Sequence, residues 1–184
     1  YFIALYISYW SIKVFEWYYY VLKSYIKLLK MEKRKFHDNV IIETWWKDLQ
    51  HIIIIPIYTE PYDVIEEAVL SVIHNDYRYK ENITILLATE ARAPHADSHA
   101  EEIIKNHGSW ASIINIVHPD WLENEGKVKG ANITYAIRAY EKMRNLNPAE
   151  TFISTIDTDT KVEKRFFSIV TECFLSTDER HRAI

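Results

Sequence analysis

The sequence predicts an α/β domain with a mostly parallel sheet and flanking helices, preceded by an N-terminal membrane helix. Strand-like apolar runs alternate with helical patterns four times, which is the order of repeated β-α units. The first run, residues 51–58, is continuous and largely β-branched, as is typical of a strand buried on both faces. Because crossovers between such units are right-handed, the strands run parallel and their carboxyl ends meet at one edge of the sheet.

The elements follow one another along residues 48–184, which we assign to one domain. Residues 61–74 place apolar side chains at helical spacing behind Pro61, which suits the opening turn of a helix. Further strands are predicted at 83–88, 113–118 and 151–156, and further helices at 95–107, 127–145 and 163–175. Cys173 lies on the apolar side of the last helix and is expected in the core.

The composition excludes several classes of protein. The chain has 184 residues, of which 48% are hydrophobic and 26% charged, so it can bury one sizeable core and is not disordered. Its three glycines cannot spell a glycine-rich dinucleotide turn or phosphate loop. A single cysteine excludes an internal disulfide and suits a reducing compartment. Residues 51–184 hold 14 basic and 21 acidic residues, a net charge of −7, which disfavours binding to nucleic acid.

Residues 1–35 have the composition of a segment at a membrane. Ten of the first twenty residues are aromatic, and residues 23–35 then carry six basic residues and one acidic residue. Aromatic rings with polar tips concentrate at the membrane–water boundary, and basic flanks stay on the cytoplasmic side. Lys13 and Glu16 interrupt the apolar stretch, although they could pair on one helix face. We therefore expect a helix that either spans the membrane or lies in its interface, with the domain facing the cytoplasm.

Two aspartates, Asp157 and Asp159, directly follow the last predicted strand. In an extended chain, side chains at i and i+2 point the same way, so both carboxylates would face the crevice at the strand ends. Such a pair is repulsive unless a hard cation, Mg²⁺ or Mn²⁺, binds carboxylate and phosphate oxygens together. The pattern therefore predicts a metal–diphosphate site with both aspartates as metal ligands. A plain turn, in which Asp157 caps the residues that follow, would show the same sequence.

Polar residues also follow the other predicted strands at the same edge. Tyr58 could stack a base, and Glu60 or Glu90 could accept hydrogen bonds from the base or the ribose. Lys127 and Lys129 enter a helix, where cations beside the helix N-terminus suit a diphosphate. Taken one at a time, ordinary turns would explain each cluster. Together they predict a nucleotide-binding crevice lined by Pro56, Tyr58, Glu60, Glu90, Lys127, Lys129, Asn132 and Asp157.

In this order the motifs resemble those of family 2 glycosyltransferases with the GT-A fold, including the cellulose-synthase-like membrane enzymes. The similarity spans residues 51–175 and rests on residues 55–60 (Ile-Pro-Ile-Tyr-Thr-Glu), 129–132 (Lys-Gly-Ala-Asn) and 157–159 (Asp-Thr-Asp). The resemblance implies a Rossmann-like half that binds a nucleotide-diphosphate sugar, with a UDP-sugar favoured, and Mg²⁺ or Mn²⁺. It also implies transfer of the sugar to an acceptor hydroxyl with inversion.

The resemblance implies roles for single residues as well. Tyr58 and Glu60 would hold the nucleoside, and Lys129, together with Lys127, would hold the diphosphate. The two aspartates that follow the last strand would hold the ribose and the metal.

The sequence departs from the family pattern in three places. Thr59 stands where asparagine is usual, and residues 89–91 (Thr-Glu-Ala) stand where two acids, or an acid and a glycine, are more common. The general base of the family and its Gln-x-x-Arg-Trp element do not occur before Ile184. We therefore expect a C-terminally incomplete domain that holds the donor site without the catalytic base.

Two other interpretations stay open. Residues 157–160 (Asp-Thr-Asp-Thr) also match the nucleophile motif of haloacid-dehalogenase-like phosphotransferases, in which one aspartate, here Asp157, becomes phosphorylated. That motif normally lies on the first strand, whereas here it follows the fourth. The chain could instead be a non-enzymatic, membrane-tethered α/β nucleotide-binding module.

Overall fold

The computed structural model describes residues 1–32, 48–120 and 128–176. The chain divides into two units, Tyr1–Val40 and Ile41–Ile184. In the first unit, helix α1 (Phe2–Glu32) covers 31 residues, and nearly all its side chains are exposed. Within the three described ranges, no helix is long and apolar enough to cross a membrane. The expectation of a helix is confirmed, but a spanning helix is not supported, because charged residues and polar-tipped tyrosines dilute the apolar side chains of α1.

The second unit contains a parallel sheet of four strands. The strands are β1 (Gln50–Pro56), β2 (Ile83–Glu90), β3 (Ser112–His118) and β4 (Thr151–Thr155). Their order in the sheet is β3-β2-β1-β4, and every neighbouring pair is parallel. The predicted parallel α/β fold is therefore confirmed.

Four helices connect and cover these strands. They are α2 (Tyr62–Ile73), α3 (Ala96–His107), α4 (Lys129–Met143) and α5 (Phe166–Ser176). Two short 3₁₀ turns, Lys80–Asn82 and Pro148–Glu150, precede β2 and β4. The predicted helices are all present, and their ends differ by at most three residues from the predicted ones.

The sheet carries one apolar core on each face. Side chains alternate between the faces along β1, so Ile53 packs with α2, α3 and α5, whereas Ile54 packs with α4. Both isoleucines are fully buried, and each such burial contributes about 1.5–3 kcal/mol. A continuous run of isoleucines suits this strand because both of its faces lie against helices.

The strand order also fixes where a ligand site belongs. The chain moves outward from β1 through β2 to β3 and then returns to place β4 on the other side of β1. The direction of winding therefore reverses between β1 and β4. In open parallel sheets, ligands bind beside the carboxyl ends of the strands at this topological switch point.

Two details of the prediction are wrong. Strand β4 ends at Thr155, and a hydrogen bond of 2.9 Å from the Thr160 amide to the Asp157 carbonyl closes a turn. The two aspartates are therefore not held in extended chain. Cys173 is exposed, because α5 turns Phe167 and Thr171 toward the core instead.

Candidate functional site

A cavity of about 330 Å³ opens where the ends of β1 and β2 meet the start of α4. It is lined by Pro56, Ile57, Tyr58, Glu60, Glu90, Arg92, Lys129 and Asn132. Six of these eight residues belong to the predicted crevice, and they come from three separate segments of the chain. The cavity lies at the carboxyl ends of β1 and β2, beside the reversal of strand order between β1 and β4.

The turn after β1 forms one side of the cavity. The Ile57 amide donates to the Ala88 carbonyl at 2.8 Å, which ties the chain to β2 for one residue beyond the end of β1. The Tyr58 amide then donates to Glu60 Oε2 at 2.6 Å, so the carboxylate holds the turn that precedes α2. The Tyr58 ring is 41% exposed. An aromatic face therefore stands at the cavity while its backbone is fixed.

The second side of the cavity is formed by an ion pair at the end of β2. Glu90 is the last residue of the strand and is buried, and Arg92 Nε donates to its Oε2 at 2.5 Å. The hydrogen bond that Arg92 donates to Glu90 raises the pKa of Arg92, which is protonated at all physiological pH values. The guanidinium also lies over the Tyr58 ring, 5.2 Å from its centre. A ring, a cation and a carboxylate thus form one continuous wall.

The third side is the first turn of α4, where Asn132 is buried. Its Nδ2 donates to the Ala88 carbonyl at 2.8 Å, which fixes the orientation of the amide. Its Oδ1 is buried and has no hydrogen-bond partner among the described residues. A buried acceptor without a donor costs about 1–3 kcal/mol. Asn132 therefore brings a buried acceptor without a partner among the described residues to the wall of the cavity.

Lys129 connects this cavity to the turn after β4. Its ammonium group forms an ion pair with Asp157, across the gap between α4 and the end of β4. Both side chains are more than half exposed, so the pair adds little to stability. It does bring the first of the two aspartates to the rim of the cavity.

The remaining two predicted site residues are Asp159 and Lys127. Asp159 is exposed in the same turn as Asp157 but does not line the cavity. Lys127 lies outside the described residues. Arg92 is a cavity residue that the sequence analysis missed, and its signal was a basic residue two positions after the acid that ends a predicted strand.

The carboxylates in the turn after β4 decide which kind of metal site is feasible beside the cavity. Within the described parts of the chain, no three His, Cys, Asp or Glu residues are grouped so that they could hold a metal ion. The turn after β4 offers the carboxylates of Asp157 and Asp159 alone. Mg²⁺ commonly takes one or two carboxylates together with substrate phosphates and water. The residues therefore fit a metal that binds with a diphosphate, and they do not form a complete cage of protein ligands.

The comparisons with known proteins give no family. No protein-family model matches the chain, and a search of curated proteins also finds no match. The function is therefore argued from the residues of the site.

Proposed function

We propose that the second unit is the donor-binding part of an inverting glycosyltransferase that uses a nucleotide-diphosphate sugar, with a UDP-sugar favoured. The observation that carries the proposal is the convergence of three segments on one cavity at the carboxyl ends of the strands of a parallel sheet. The cavity is lined by Tyr58 with its exposed ring, by Asn132, whose buried acceptor has no partner among the described residues, and by Lys129 at a helix N-terminus.

The inner part of the cavity suits a nucleoside. A base can stack on the Tyr58 ring, whose face already attracts the flat guanidinium of Arg92. An N–H of the base or a ribose hydroxyl would satisfy Asn132 Oδ1. Glu60 and Glu90 add carboxylate acceptors on the same walls. The volume lies at the lower end of the range that small-molecule sites occupy.

The rim suits a diphosphate. Lys129 is the first residue of α4, so its ammonium group and the free amides of the helix N-terminus both favour an anion there. Asp157 and Asp159 would hold Mg²⁺ or Mn²⁺, which would supply the charge that neutralises a leaving diphosphate. The protein residues bind and orient the donor in this proposal, and none of them is assigned as the general base.

The test is calorimetric titration of UDP into the full chain, with and without Mn²⁺. We expect binding that depends on the metal and that falls at least tenfold in Asp157→Ala/Asp159→Ala, since both carboxylate ligands are lost. Glu101→Ala/Glu102→Ala is the matched control, because it removes two exposed acids that do not line the cavity. A folded chain that binds no UDP under either condition would refute the proposal.

Two alternatives have their own outcomes. Metal-dependent UDP binding without transfer or hydrolysis of a UDP-sugar, once the rest of an acceptor site is supplied, would indicate a nucleotide-binding module. A covalent aspartyl-phosphate at Asp157 would indicate the phosphotransferase. In the described sheet, Asp157 follows the edge strand β4 and not the central strand β1, so the structure adds nothing specific in favour of that second alternative.

A further inference from the structure

Helix α1 exposes far more apolar surface than a water-facing helix normally carries. Trp17 is 68% exposed and Val21 is 43% exposed, and the other large apolar side chains between Phe2 and Leu28 are exposed to a similar degree. Contiguous exposed apolar patches of this kind mark contact sites.

The charges of α1 up to Lys30 lie on one side of the helix. At about 100° per residue, Lys13, Glu16, Lys23, Lys27 and Lys30 fall within an arc of about 100° around the helix axis. Lys13 and Glu16 form an ion pair of 2.7 Å within this arc. No acidic residue lies between Glu16 and Glu32, so the C-terminal half of the arc is purely basic.

Up to Leu28, the opposite side of α1 is mainly apolar and aromatic, and Glu32 follows on this side at the end of the helix. The apolar residues of this side include Ile7, Trp10, Val14, Trp17, Val21 and Leu28. The hydroxyl of Ser11 also lies on this side, but it donates to the Ile7 carbonyl at 2.9 Å and is satisfied within the helix. Between Lys13 and Lys30 the helix therefore has a basic face and an apolar face, whereas residues 1–12 carry no charged side chain.

We propose that α1 lies in the plane of a membrane interface that contains anionic lipids, with its apolar face in the acyl region and its lysines at the head groups. Tryptophan and tyrosine prefer that boundary, and lysine stems can reach from it to the phosphates. The basic face matches the negative charge of the lipid surface. This inference is independent of the proposed nucleotide site.

A second copy of the chain is the main competing occupant, since Ile7, Trp10, Val14, Trp17 and Val21 have heptad spacing. A coiled coil places charges beside such a seam. Here Lys13 and Lys27 flank the seam on one side only, and the other side continues with aromatic and apolar residues, namely Tyr18, Leu22 and Tyr25. The apolar face is thus wider than a coiled-coil seam, which favours lipid over a partner helix.

The experiment is flotation of the full chain with vesicles of phosphatidylcholine, alone or mixed with phosphatidylserine. We expect at least tenfold tighter binding to the mixed vesicles, and we expect added salt to reduce this preference. Lys23→Gln/Lys27→Gln/Lys30→Gln should remove the preference for phosphatidylserine. Lys105→Gln/Lys142→Gln/Lys164→Gln, which removes three exposed lysines of the other unit, should keep it.

The apolar face has its own matched pair of variants. Val21→Asn/Leu28→Asn should weaken binding to both kinds of vesicle at least tenfold, because two apolar side chains no longer enter the acyl region. Tyr9→Asn/Tyr20→Asn, on the basic side, should change binding less than threefold. A chain that binds neither kind of vesicle would overturn the proposal. So would a lipid-free dimer, seen by sedimentation velocity, that Val21→Asn/Leu28→Asn dissociates without changing vesicle binding.

Discussion

The ammonium group of Lys129, at the first residue of α4, pairs with the carboxylate of Asp157 in the turn after β4. This pair spans the switch point of the sheet, between a helix N-terminus and the proposed metal ligands. A diphosphate with its metal would offer each member a stronger partner, because Lys129 would meet phosphate and Asp157 would meet the cation. The nucleotide and the metal should therefore strengthen each other's binding.

Removing the charge of Lys129 should weaken the binding of the diphosphate and leave the binding of the nucleoside unchanged. We expect Lys129→Met to weaken UDP binding by about 1.5–3 kcal/mol, the usual contribution of a hydrogen bond to a charged group. Uridine should bind this variant and the wild type equally. Calorimetric titration of both ligands measures the difference, with Lys142→Met, in the last turn of α4, as the control. Equal losses for uridine and UDP would show that Lys129 does not act on the diphosphate.

The Oδ1 of Asn132, which is unpaired among the described residues, should lower the stability of the ligand-free chain, and a bound ligand that donates a hydrogen bond to this atom should offset the loss. The Ala88 carbonyl already accepts a hydrogen bond from the Ile57 amide, so it stays satisfied when the Asn132 amide is removed. Asn132→Leu also removes the buried Oδ1 that has no partner among the described residues. We expect the free energy of unfolding to stay within about 1 kcal/mol of the wild-type value, while UDP affinity falls at least tenfold.

Urea unfolding and calorimetric titration of Asn132→Leu check these two expectations together. Asn106→Leu is a suitable comparison, because that asparagine donates to the Tyr62 hydroxyl and does not line the cavity. Unchanged UDP affinity in Asn132→Leu would remove the residue from the site, whatever happened to stability.

The strands of the sheet could be predicted from the sequence because a strand buried on both faces is a continuous run of apolar residues. The isoleucine run of β1 shows this directly. Arg92 could not be placed in the cavity in the same way, because its position depends on two backbone hydrogen bonds after β2. The Ala91 amide donates to the His118 carbonyl, and the Ala93 amide donates to the Glu90 carbonyl. These bonds turn the chain back toward Tyr58.

The errors at the end of the chain have a similar origin. An extended D-x-D and a turn at Asp157 differ by a few backbone dihedral angles, and the amino-acid pattern is the same for both. On α5, apolar residues occur around much of the helix, so periodicity alone did not choose the buried side. The choice depends on a distant residue, since Thr171 faces inward and bonds to the buried His51 at 3.0 Å.

The pair of Glu90 and Arg92 should behave as a partly buried ion pair. Arg92→Gln leaves the buried Glu90 carboxylate without its guanidinium partner, so we expect the free energy of unfolding to fall below the wild-type value. Glu90→Gln/Arg92→Gln removes both charges and should recover more than half of that loss. A double-mutant cycle in urea measures the coupling, and additive losses would mean that the two side chains act separately.

His51 should make the domain less stable as the pH falls below neutrality. The residue is fully buried in β1, and its ring is stacked on Phe152 at 5.2 Å and surrounded by Tyr77 and Phe167. Burial lowers the pKa of His51 to about 4, so the folded state holds the neutral ring. The unfolded chain takes up a proton near pH 6.5, which the folded chain does not. The associated stability is present above about pH 6.5 and is lost as the pH falls toward 4, in total about 3 kcal/mol.

Urea unfolding at neutral pH and near pH 4.5 tests this dependence on His51. Other groups titrate in the same range, so the informative quantity is the change in stability of wild type minus that of His51→Leu. We expect His51→Leu to lose less stability on acidification than the wild type, because leucine binds no proton. His74 is an exposed histidine at the end of α2, and His74→Leu should lose as much stability on acidification as the wild type. If His51→Leu and the wild type lost stability in parallel, the buried ring would not be the group that sets this pH dependence.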